Sequence, residues 1–162
     1  MVNQVSLLLE TLAACLCEQV NADGLTPLCF CGVLPGEAVA VDYVGQCEDR
    51  DGMAWTRLAL LYPATGVGVI NQRVHNCGGG LTAEIEIGVM RSTPTLTPDG
   101  EPPTEADQLL SSQVQIADML AMHRAVSCCA SLQQYDYILS QYRPRGPAGF
   151  AVGGTFTVMV GL

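Results

Sequence analysis

From Leu81 to Met90 the chain alternates with a strict period of two: Leu81, Ala83, Ile85, Ile87 and Val89 fall on one side, Thr82, Glu84 and Glu86 on the other. An extended strand is the geometry that sends successive side chains to opposite faces. The segment therefore asks for a sheet with one buried face and, by this pattern, one wet and acidic face. The apolar side needs a covering layer, and two helical patterns supply it. Val5, Leu8, Leu9, Leu12, Leu16 and Val20 recur at helical spacing over Gln4 to Val20. Asn3 is the expected cap and Asp23-Gly24 the stop. The second helix opens at Thr104-Glu105-Ala106-Asp107, the spelling of a capping box. Behind it Ala106, Leu110, Ala117, Leu120, Ala121 and Cys128 form a stripe opposite Gln108, Ser111, Ser112, Gln115 and Asp118. The half from Ile116 to Cys129 is apolar nearly all round, which predicts deep burial.

Further strands are expected at Ala38–Val44, at Met53–Tyr62 (where Trp55, Leu58, Leu60 and Leu61 leave little for water), at Tyr135–Tyr142 and at Thr155–Val160. Connectors read from Gly and Pro are Pro27–Glu37, the polar turn Gln46–Gly52, an irregular stretch Pro63–Gly80, a Pro-rich arm Ser92–Pro103, and Pro144–Gly149. No repeat or long linker divides the chain. The expectation is one α+β domain over residues 1–162, with an antiparallel or mixed sheet of about five strands, two helices packed on one face, and extended loops at 63–80 and 92–103.

Hydrophobic residues make up 49% of 162 and charged residues 14%, ample for a core. The net charge is −9 and every one of the seven basic residues is Arg. That balance argues against gripping nucleic acid, which needs cations to displace counterions; an acidic wall would instead let a duplex pass without sticking. The eight cysteines are spaced poorly for a disulfide framework, so buried free thiols in a reducing cytosol are expected. Leu12-Ala13-Ala14-Cys15 imitates a lipoprotein cleavage box. The stretch before it lacks a basic residue, however, and Glu10 interrupts the apolar run. No stretch is expected to reach the roughly 18 apolar residues a membrane span needs.

Four constellations could carry chemistry, and each has a simpler structural reading. Cys15-Leu16-Cys17, Cys29-Phe30-Cys31 and His75-Asn76-Cys77 suggest metal, but a C-x-C on a helix splays its thiols by about 200°, and structural zinc sites space paired ligands more widely. A Cys–His nucleophile from Cys77 or Cys128 with His75 or His123 lacks an evident orienting carboxylate or oxyanion hole. Gly78-Gly79-Gly80 precedes a strand, with no Lys after it, unlike a phosphate loop; Gly153-Gly154 likewise precedes a strand, and a bend or bulge is the simpler account. Glu84 and Glu86 could serve acid–base work, although such a pair more often forms a solvated face. No metal or cofactor is assigned.

The chain also resembles the tail-terminator proteins of siphophages that infect high-GC Gram-positive bacteria. The resemblance is carried by Cys29-Phe30-Cys31-Gly32-Val33-Leu34-Pro35-Gly36-Glu37-Ala38-Val39-Ala40, Gly52-Met53-Ala54-Trp55-Thr56-Arg57-Leu58 and Glu84-Ile85-Glu86-Ile87-Gly88-Val89-Met90-Arg91. Ala117-Asp118-Met119 with Cys128-Cys129, Gly146-Pro147-Ala148-Gly149 and Gly153-Gly154-Thr155-Phe156-Thr157-Val158 add to it. It spans most of the chain, and no single motif in it is diagnostic. It implies a non-enzymatic virion protein at the head–tail junction, assembled in the host cytoplasm as a ring, usually a hexamer. Such a ring ends the tail tube and joins it to the head. Its partners would be itself, the major tail tube protein and the head-completion or stopper protein, with DNA passing through the channel and no membrane involved.

On that reading Pro94, Thr97 and Asp99 of the arm, and the 63–80 stretch, are candidate inter-subunit or tube contacts. Arg57 and Arg91 are candidates to pair with an acid of the next copy, and Glu84 and Glu86 to line the channel or meet an Arg of a neighbour. The alternatives are another head–tail connector (stopper or adaptor), a lipoprotein acylated on Cys15, or a small cysteine-dependent enzyme.

Overall fold

The computed structural model describes residues 2–22, 25–70 and 79–162. Two helices, α1 (Val2–Ala22) and α2 (Glu105–Ser127), lie on one face of a mixed sheet, giving the single α+β domain that the patterning demands. The sheet has seven strands: β1 (Phe30–Val33), β2 (Met53–Gly66), β3 (Val69–Ile70), β4 (Leu81–Ser92), β5 (Tyr137–Leu139), β6 (Arg143–Ala148) and β7 (Ala151–Gly161). The spatial order is β1-β2-β4-β7-β5, with β3 on β2 and β6 on β7. Only β1 is parallel to its neighbour.

The alternating segment forms β4 at the centre, paired with β2 on one side and β7 on the other. Ala83, Ile85, Ile87 and Val89 face the helices and are buried. They meet Leu8, Leu12, Leu16 and Val20 of α1 and Ala121, Met122, Ala125 and Val126 of α2. The helices run antiparallel: Cys15 meets Cys129, while Gln19, one turn on in α1, meets Arg124, more than a turn back in α2. Asn3 lies inside α1 rather than capping it, and Asp23-Gly24 falls outside the described residues. The capping box of α2 closes as spelled: Thr104 Oγ1 accepts from the Asp107 amide at 3.2 Å, and Asp107 Oδ2 accepts from the Thr104 amide at 3.0 Å.

The α2 stripe read from the sequence is rotated. Leu110, Leu120 and Cys128 are exposed, and the buried side runs through Asp118, Ala121, Met122, Ala125 and Val126. A helix apolar nearly all round gives no phase of its own, so the sheet and the polar partner of Asp118 set it.

The wet face predicted for β4 is only half wet. Chain 34–52 must carry β1 back to the start of the parallel β2, and a parallel connection needs a dozen or more residues. It crosses the face opposite the helices. There Val44 is buried, with Val39 and Val41 packed beside it, over Met53, Trp55, Met90 and Ala151. Ala38–Val44 is therefore no strand; its alternating valines cover a sheet rather than join it. The strand on this side is β1, within the expected connector. Trp55 lies across Gly88, where any Cβ would run into the indole ring.

Downstream, a register shift between Leu58 and Leu60 turns β2, leaving Leu60 and Leu61 exposed rather than central. β2 continues to Gly66 and folds back into β3, so part of the expected 63–80 loop is strand; 71–78 lies outside the described residues. Residues 93–104 carry no regular structure. The 144–149 connection is largely β6. Gly153-Gly154 sits inside β7, where a Cβ would meet the Val89 carbonyl or the Tyr142 ring.

The cysteines depart furthest from expectation. Six of them close three disulfides, Cys15–Cys129, Cys17–Cys31 and Cys29–Cys47, with Cα separations of 5.8, 5.8 and 5.9 Å, within the usual range. The splay that argued against a metal site explains it: Cys15 and Cys17 point apart on α1, one to the end of α2 and one to β1. Cys128 is free and exposed; Cys77 falls outside the described residues. Asn3–Ala22 has the length and mean hydropathy, 1.2, of a membrane span, contrary to the expectation that no stretch reaches that length. Its apolar stripe is turned onto the sheet.

Candidate functional site

Two of the candidate contact residues, Arg57 and Glu86, are brought together inside this one chain. They are direct cross-strand partners on β2 and β4. Glu86 is buried and accepts from Arg57 Nε at 2.8 Å, Trp55 Nε1 at 3.1 Å and Arg145 Nη2 at 2.7 Å. Burial alone would raise its carboxyl. The hydrogen bonds from Arg57 and Trp55 and the charges of Arg145 and Arg57 together outweigh burial and hold it below the usual range. Arg57 also donates to the Gly36 carbonyl at 3.0 Å, tying the crossover to the sheet. Glu86 is thus neither a channel-lining acid nor a free interface residue: its charge is satisfied locally.

Arg91 is corrected likewise. It is the next odd position after Val89 and so faces the helices. It is buried and binds Asp118 of α2 through both arms of its fork, Nε–Oδ2 at 2.7 Å and Nη2–Oδ1 at 3.0 Å. Its remaining nitrogen donates to the carbonyls of Thr26 at 2.7 Å and Asp51 at 3.0 Å. Asp51 in turn accepts from Ser92 Oγ at 2.8 Å. One guanidinium fastens α2, β4 and the start of the crossover, and none of it is offered to a neighbour. Burial first, and then the charge of Asp118, push the Tyr142 phenol up.

The arm keeps its candidates at the surface. Thr97 and Glu101 exchange backbone and side-chain hydrogen bonds around a tight turn. Asp99 is exposed in that turn and Leu96 is exposed beside it, while Pro94 is half-buried at the base. Pro94 lines a groove of about 540 Å³ with Leu25, Asp51, Leu110, Val114 and Val152. Glu84 is half-buried on the uncovered part of the sheet. The Tyr62 phenol is pushed up by desolvation and by the hydrogen bond and charge of Glu84.

Sequence reasoning missed the apolar surfaces. On α2, Leu109, Ile116 and Leu120 are exposed, and at about 100° per residue they share one stripe opposite the buried side. On the sheet, the cross-strand row Leu60–Glu84–Met159–Ile138 carries exposed Leu60 and Ile138, with exposed Val69 on the adjoining hairpin. The signal for the second lay in Leu60 and Ile138 themselves, but it needs the β2 register shift to reach the surface.

The other constellations gather no chemistry among the described residues. No group of three or more His, Cys, Asp or Glu stands where it could hold a metal; His75 and Cys77 are outside the described chain. His123 and Cys128 are both exposed toward the end of α2. Cys15, the residue a lipoprotein would acylate, is bonded to Cys129. No protein-family model and no curated protein matches the chain.

Proposed function

We propose that this chain is a structural, non-enzymatic ring subunit of the tail-terminator kind, which ends a phage tail tube and joins it to the head. One observation carries the reading. The domain satisfies its buried charges internally, yet among the described residues leaves groups of apolar side chains exposed on two surfaces, one on α2 and one on the sheet. Apolar surface gathered into patches, rather than scattered, marks association. The α+β layering is what the sequence resemblance implies for a terminator; a stopper would be more purely β and an adaptor more helical. The acidic surface suits a wall past which DNA slides without adhering. Disulfides persist on virions outside the host, so a subunit made reduced in the cytoplasm would acquire them after release. The engaged Cys15 sulfur weighs against the acylated alternative.

The test is electron microscopy of the purified protein, alone and mixed with tail tubes built from the major tail tube protein. The expected particle is a ring around a hollow axis, six copies by the resemblance, seated on tube ends. Tubes whose length and ends are unchanged by the protein would refute the proposal.

A further inference from the structure

Building on the ring reading, we infer that the ring closes by a head-to-tail contact in which the β6–β7 hairpin of one copy seats on the uncovered sheet face around Glu84 of the next. The occupant is a second copy of this chain, and charge and position argue for it. Among the described residues this face offers exposed Leu60 and Ile138 in the cross-strand row of Glu84, with exposed Val69 on the β2–β3 hairpin whose tip at Gly68 lies beside Ile138 and Met159; Glu84 has no basic partner among them. The hairpin offers the converse. Arg143 is exposed without an acidic partner among the described residues, in contrast to Arg145, which Glu86 holds. Phe150, at the turn, is 44% exposed. An exposed arginine and an exposed aromatic at the two ends of β6 are complementary in chemistry to an apolar face with one acid.

Their placement sets the symmetry. Arg143 is registered with Thr155 and Phe150 precedes β7, whereas Glu84 is registered with Met159 near the other end of that strand. At about 3.4 Å per residue, Phe150 and the Glu84 rung stand roughly 30 Å apart along β7, and Arg143, registered with Thr155, lies between them, roughly 14 Å from that rung. The crossover and its valines rise between them on the same face, which hinders two copies from lying face to face. Distinct complementary patches make a heterologous contact, which repeats around an axis until it closes. The edge strand β6 itself carries Pro144 and two arginines, features that discourage plain strand-to-strand pairing and leave side-chain docking as its mode.

Charge exchange between copies tests this without reference to any tail. Glu84→Arg and Arg143→Glu are made separately, checked for an unchanged melting temperature, and studied by sedimentation and native mass spectrometry. Each alone sets like charges against each other at every contact and should weaken self-association roughly tenfold or more. Mixed in equal amounts they should assemble again. At one kind of contact the arginine introduced at position 84 then meets the glutamate introduced at position 143; at the other, the native Glu84 and Arg143 meet as in the wild type. The rings would alternate strictly, with a one-to-one composition and an even number of copies. That rescue cannot come from misfolded variants. A wild-type ring that Glu84→Arg leaves intact overturns this contact while the ring reading stands. Assembly that stops at two copies overturns the head-to-tail geometry and the ring together. A wild-type protein that stays monomeric up to roughly 1 mM overturns the contact as a self-sufficient one.

Discussion

Replacing Asp118 by alanine should destabilise the monomer by about 3–4 kcal/mol. Arg91 and Asp118 are each 5% exposed and share two short charge-assisted hydrogen bonds. Breaking a buried pair by deleting one partner costs about 3–5 kcal/mol, because the survivor is left charged and dry. Arg91 keeps the carbonyls of Thr26 and Asp51 in the variant, which places the figure toward the lower end. At about 2–4 °C per kcal/mol for a chain of this size, the melting temperature should fall by roughly 6–16 °C. Urea unfolding followed by the fluorescence of the fully buried Trp55 measures it directly, with disulfides kept intact in both proteins. Two companions sharpen the reading. Arg91→Met with Asp118→Leu should recover most of the loss, since a well-packed apolar pair can replace a buried ion pair. The Tyr142 phenol, held up partly by the charge of Asp118, should titrate lower in Asp118→Ala. If that variant unfolds within about 1 kcal/mol of the wild type, the pair is not the internal fastening described, and Arg91 is returned to the surface role that the sequence first suggested.

Three further outcomes follow from the same packing. Gly88→Ala would drive a methyl group into the Trp55 ring and should cost about 1–3 kcal/mol in the same urea assay. Glu86 has a folded pKa below its ordinary value of 4.5; its ionised form therefore stabilises the fold above the unfolded value and loses that contribution as pH falls through the folded one. Glu86→Gln should flatten the acid limb of a stability–pH profile, and an unchanged limb would show that the carboxylate is not held by Arg57, Trp55 and Arg145. Of the disulfides, Cys15–Cys129 spans 114 residues and Cys17–Cys31 spans 14. The chain-entropy account gives about 5 and about 3 kcal/mol for loops of these lengths. Cys15→Ser with Cys129→Ser should accordingly lower stability more than Cys17→Ser with Cys31→Ser, and equal losses would contradict it.

The parity of β4 was legible from the sequence, and it reached further than the reading took it. Leu81 through Val89 named the buried side, and Arg91 is simply the next member of that series. A charge there signals a buried partner more than a surface contact, and Asp118, which falls in the buried phase of α2 once that phase is known, is the partner. The phase itself was not legible, because α2 offers apolar residues on every side. What no local pattern could show is the fate of the other face. Glu84 and Glu86 sit on the same strand, on the same side, two residues apart, yet one is half-exposed and the other engaged in an internal network. The difference is made by chain far away in sequence. The crossover begins where β1 ends, is tied to β2 by the Leu34 amide on the Thr56 carbonyl and by Arg57 on Gly36, and has Cys29–Cys47 holding its later part back near β1. With β1 only four residues long, the cover reaches as far as the Arg57–Glu86 rung and stops. The next rung, Leu60–Glu84, follows the register shift in β2 and lies beyond it. An acid and its apolar neighbours are left beyond the crossover because the strand that launches it is short, and on the proposed head-to-tail contact that is where a neighbouring copy would dock.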